Sequence, residues 1–73
     1  MKKEIESTIK EAIAQNWYDE MTTSDLQGAC EAKAMGILRK RQVNLNPLLN
    51  YQKIFAVSEK ILQGIYKHQE AMP

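Results

Sequence analysis

Much of the usual stabilising and catalytic equipment is missing from this chain. Its 73 residues include one cysteine, Cys30, so no internal disulfide can form. One cysteine and one histidine, His68, fall short of the set a zinc ion needs, and neither a metal nor a cofactor is expected. The three glycines, Gly28, Gly36 and Gly64, are scattered and make no phosphate-binding loop. No segment approaches the run of about 18 apolar residues that a membrane span requires. The start, Met1 to Glu6, is basic but is followed by no apolar run of the secretory kind, and a cytosolic location is expected. A formal net charge of +1 supplies no overall pull towards nucleic acid or membrane.

What is present is helical pattern. Pro47 and Pro73 are the only prolines, which leaves two long stretches free of helix breakers. Residues 1–73 are read as one small all-α domain, a short N-terminal helix followed by an antiparallel helical hairpin. The helices are expected at about 2–17, 24–42 and 47–70. In the first, Ile5, Ile9, Ala12 and Ile13 recur at spacings of three and four. Trp17 follows and is read as a plug against a neighbouring helix. Ser24 with Gln27 fits a capping box for the second helix, and Thr22 with Asp25 is the rival register. The second helix has the stripe Leu26, Cys30, Ala34 and Ile37, flanked by Leu38, and many small residues that would let another helix come close. Cys30 lies on that packing face and is read as a buried structural thiol. The turn at 43–46 is short, and short connections place helices antiparallel.

The third helix has the widest apolar arc. Asn46 is a good N-cap and Pro47 suits the first helical position. At about 100° per residue, Ile54, Val57, Ile61 and Ile65 fall on one edge. Leu48, Phe55, Leu62 and Tyr66 fall on the other, with Tyr51 and Ser58 between. The arc spans about half the circumference, wider than the stripe of about 100° that one neighbour needs. Lys53, Lys60 and Lys67 form a solvated stripe opposite. The first two helices are short of apolar side chains to cover both edges. Ile54, Val57, Ile61, Leu62, Ile65 and Tyr66 are therefore the candidate partner-binding residues. The partner is expected to be another protein or a second copy of the chain.

No catalytic constellation is apparent, and the chain is not expected to be an enzyme. Charge is uneven: residues 1–38 hold 4 basic and 7 acidic side chains, and residues 39–73 hold 6 and 2. Arg39-Lys40-Arg41 could contact phosphates, but it also suits the negative pole of a helix end, and the acidic first half would repel a duplex. Nucleic acid is not the expected partner.

From Leu38-Arg39-Lys40-Arg41 the chain passes through a short polar turn to Asn46-Pro47-x-x-x-Tyr51-Gln52. A long helix follows with Glu59 and Ile61-Leu62 and closes around Ile65-Tyr66-Lys67. Over roughly residues 26–68 this order resembles the small cytosolic co-chaperones of bacterial type III secretion needle subunits. The resemblance implies a helical hairpin that pairs with a larger tetratricopeptide-like chaperone. Together they would keep the needle subunit soluble and unpolymerised before export, a virulence function without chemistry of its own. The first helix and Trp17-Tyr18 have no counterpart in that pattern. The alternative is a self-associating helical regulator of phage or plasmid type, with or without DNA binding through Arg39 to Arg41.

Overall fold

The computed structural model describes residues 2–41, 46, 48 and 50–71. The chain is all-α: α1 Lys2–Ala14, α2 Trp17–Glu20, α3 Thr23–Arg41 and α4 Tyr51–Ala71. Among the described residues there is no strand. The two long helices, α3 and α4, pack on each other, and α1 lies mainly against α4.

The first helix is shorter than expected. It ends at Ala14, and Asn16 takes a left-handed conformation at φ 57°, ψ 40°. Asparagine is one of the few residues besides glycine that visit this region readily. The break redirects the chain. The Asn16 carbonyl accepts hydrogen bonds from the N–H groups of Asp19 (3.2 Å) and Glu20 (2.9 Å). These bonds start the single turn of α2, which ends where Met21 becomes extended. Within α1 the stripe is narrower than its isoleucines predict. Ile5, Thr8 and Ala12 are buried, while Ile9 and Ile13 are half-buried. Thr8 is accommodated because its hydroxyl donates to the Glu4 carbonyl at 2.9 Å, one turn back.

The second long stretch follows the rival register. Thr22 Oγ1 accepts the Asp25 N–H at 3.2 Å, and the Thr22 carbonyl accepts that of Leu26 at 2.9 Å. Thr22 is therefore the N-cap, and α3 opens at Thr23 rather than Ser24. Its buried residues are Leu26, Cys30, Ala34, Ile37 and Leu38, the stripe that spacing predicts. Of its small residues, Cys30 and Ala34 are fully enclosed in the core as expected, but the glycines are not part of the contact. Gly28 and Gly36 face open space, and the close helix contact falls on α4 instead. A Cβ at Gly64 would collide with the Ile9 side chain, lying 3.0 Å from its Cγ1 and nearer still to its Cδ1. Glycine at this position is what lets α1 settle onto α4.

Asn46 does cap a turn: its Oδ1 accepts the Leu48 N–H at 3.0 Å. Its carbonyl accepts the Asn50 N–H and Asn50 Nδ2, both at 2.9 Å. The regular helix begins at Tyr51, after this turn and four residues later than expected. The expectation for Pro47, and most of the connection at 43–46, falls outside the described residues.

Four contacts fix the direction of each helix. Glu4 pairs with Arg41 and Glu11 with Lys33, so α1 runs antiparallel to α3. Ile5 and Lys60 line one shallow depression, and Ile9 meets α4 at Gly64, so α1 runs parallel to α4. The hairpin of α3 and α4 is therefore antiparallel, and α1 covers one of its sides. Burying each large aliphatic side chain along the shared seam is worth about 1.5–3 kcal/mol. Leu38, Ile61 and Ile65 are its largest fully enclosed members.

Candidate partner-binding surface

The six candidate residues on α4 do not share one environment. Ile54, Val57, Ile61, Leu62 and Ile65 are all buried among the chain's own helices, and Ile61 has no exposed surface. Tyr66 is half-buried, with its ring edge-on to Tyr18 at a centroid distance of 5.6 Å and an interplanar angle of 87°. The first edge of the helix is thus taken up by intramolecular packing. Sequence reasoning undercounted the cover because it did not place α1 along α4 or Tyr18 beside Tyr66.

The second edge divides along its length. Towards the C-terminus, Leu62 is buried and Tyr66 half-covered. Towards the hairpin turn, Leu48 is 89 % exposed, Tyr51 57 % and Phe55 49 %. Tyr51 and Phe55, one turn apart, stack with centroids 6.2 Å apart and planes 29° from parallel. Tyr51 and Phe55 are four apart on α4 and lie on one helical ridge, and Leu48 stands in the turn before it. Among the described residues the only other large hydrophobic side chain so exposed is Tyr18. Among the described residues this ridge is the part of the apolar arc left exposed.

Trp17, Cys30 and His68 occupy different environments. Trp17 is buried, and its indole Nε1 donates to Gln15 Oε1 at 2.9 Å, so it serves as the plug its position predicts. Cys30 is fully enclosed. Burial, with the Glu31 and Glu59 carboxylates adding to it, pushes its thiol up to about 11, far from the range where a thiolate forms. His68 is exposed on the last turns of α4. Among the described residues no cluster of His, Cys, Asp and Glu could hold a metal ion, and no helix is long and apolar enough to cross a membrane.

Arg41 is not free for phosphates in this arrangement. Its Nη2 donates to Glu4 Oε1 and Oε2 at 3.0 and 2.9 Å, and its Nε donates to Oε2 at 3.2 Å. The guanidinium holds the Glu4 carboxyl below its ordinary value. Lys33 Nζ donates to both oxygens of Glu11, at 3.3 and 3.2 Å. Glu4, Glu11 and Lys33 line a groove of about 450 Å³ between α1 and α3, with Ala32, Gly36 and Ile37 on its α3 side. The sequence reading places Arg41 with Arg39 and Lys40 at the negative pole of its own helix and predicts neither pairing. Only the direction of α1 could have revealed them.

Compared with protein-family models, with curated proteins and with solved structures, the chain has no significant match.

Proposed function

We propose that this chain is a non-enzymatic binding protein that docks a helical protein partner. In particular, we propose that it is the small subunit of a cytosolic co-chaperone pair for type III secretion needle subunits. One observation carries the binding reading: the ridge of Leu48, Tyr51 and Phe55, left exposed on an otherwise well-covered helix. A domain this small loses margin by keeping large apolar side chains in water, so a cover for them is favoured. The co-chaperone assignment rests on the residue pattern over roughly 26–68. The placement of its parts supports it: Tyr51-Gln52 opens α4, and Ile65-Tyr66 lies near its end. In this reading a larger tetratricopeptide-like chaperone meets the ridge, and the buried residues Ile54 to Ile65 act by keeping α4 in shape.

The test is a tagged pull-down from the native organism, with bound proteins identified by mass spectrometry. The expected result is a small helical-repeat chaperone together with a needle-like subunit, both lost when Tyr51→Ser and Phe55→Ser are combined. Recovery of the chain alone, at twice its mass by light scattering, overturns the co-chaperone reading in favour of a self-associating regulator.

A further inference from the structure

The turn end of the hairpin combines the exposed ridge with an excess of positive charge. No Asp or Glu stands between Glu31 and Glu59, a stretch that holds Lys33, Arg39, Lys40, Arg41 and Lys53. The carboxylates that α1 brings against this stretch are Glu11 and Glu4, and they are engaged by Lys33 and Arg41. Arg39, Lys40 and Lys53 are exposed and form no ion pair among the described residues. The far end is opposite in sign, with Asp19, Glu20 and Asp25 all exposed.

The geometry points to the Leu48–Tyr51–Phe55 ridge as the docking surface for an acidic amphipathic helix of a partner protein. The inference rests on the reading of the chain as a binding protein and names the chemistry of what it binds. Tyr51 and Phe55, four apart on α4, form the kind of ridge that fits between the side-chain rows of another helix, and Leu48 in the preceding turn extends the apolar surface. The charges supply the sign. Lys53 is on the far side of α4 from the ridge, so it acts with Arg39 and Lys40 through the field at this end rather than by contact. That field draws in an acidic segment and speeds its encounter. It also argues against a second copy as the occupant, because a two-fold axis through the ridge would set one basic end on another. A single-stranded nucleic acid fits less well. The Tyr51 and Phe55 rings close on each other and leave no slot for a base between them, and Leu48 offers no ring face for stacking.

The experiment is selection of a displayed random peptide library, about 16 residues long and so some four helical turns. It is run on the full chain and on the Tyr51→Ser, Phe55→Ser double variant, whose exposed sites leave the helical circular dichroism unchanged. The wild-type chain is expected to enrich peptides with net negative charge and apolar residues at helical spacing. A synthesised winner should bind the double variant at least about a hundredfold more weakly, as loss of two aromatic anchors dictates. Its affinity should also fall as salt is raised. The Arg39→Glu, Lys40→Glu variant should shift the enriched peptides away from negative charge. Neutral or basic winners that still need Tyr51 and Phe55 would overturn the acidic chemistry and leave the binding reading intact. Peptides indifferent to Tyr51 and Phe55 would overturn the site. Competition by oligo(dT) would assign the ridge to nucleic acid, and a dimer abolished by the double variant would assign it to a second copy.

Discussion

The two halves of α4 carry the same kind of amphipathic sequence and meet opposite fates. From Ile61 onward the helix has α3 on one side, α1 at Gly64 and Tyr18 beside Tyr66, and its large aliphatic side chains are enclosed. Around Tyr51 and Phe55 it has α3 behind it and water on its outer edge. The pattern on a helix states how much surface wants cover. Which part receives it is decided by where the rest of the chain reaches. Here α1 is only 13 residues long, and the apolar ridge at the turn end is left bare.

Charging the enclosed half should have the largest effect. Ile61→Asp places a carboxylate where no water and no partner waits, a cost of several kcal/mol that exceeds what a domain this small has in reserve. Loss of the cooperative thermal transition by circular dichroism is expected, and a variant that still melts cooperatively near the parent temperature breaks the comparison. Next comes Gly64→Val, which drives a side chain into Ile9. A destabilisation of about 1–3 kcal/mol in urea is expected, as for overpacked cores. Combining it with Ile9→Ala should restore part of the loss by making room. If the two changes are simply additive, α1 does not rest on Gly64.

Smaller effects are expected where α1 meets α3. Lys33→Ala removes a pair whose partners are both about 40 % exposed, worth roughly 0.2–1 kcal/mol and less at high salt. The Glu4 carboxyl adds a pH dependence. Arg41 lowers its pKa in the folded chain below the ordinary 4.5, so its contribution is present above that value. It is lost as pH falls through the depressed folded value. Thermal melts between pH 6 and acid (about 3, spanning the carboxylate range) should show this loss, and Arg41→Gln should flatten it. The smallest effect on stability belongs to the bare half. Phe55→Ser should change unfolding by no more than about 0.5 kcal/mol, as at other surface sites, while removing partner capture in the pull-down. A large loss of stability instead would mean that the ridge is already covered within the chain.

The all-α fold was legible because helical spacing is a local signal. Leu26, Cys30, Ala34 and Ile37 are all buried, and their periodicity names them without any knowledge of what covers them. The two edges of α4 were legible for the same reason. Their assignment to core or partner was not, because it depends on the path of α1, and that path turns on one left-handed residue. An asparagine at position 16 looks ordinary in a sequence, and nothing local separates it from a helix that continues through Trp17. The cap of α3 was undecided for a related reason: Thr22 and Ser24 offer equivalent oxygens, and tertiary packing selects between them. The Glu4–Arg41 and Glu11–Lys33 pairs join residues 37 and 22 positions apart, beyond the reach of any periodicity.

The joint at Asn16 has one more consequence. It hands the chain directly to Trp17, the sole tryptophan, whose indole lies inside the core a few residues past the end of α1. The protein therefore carries its own optical probe at the joint between α1 and the hairpin. Lifting of the N-terminal segment wets the indole and reddens its emission. If that change precedes the fall in helical ellipticity as denaturant rises, the segment departs before the hairpin melts. If the two coincide, the four helices leave the native state as one.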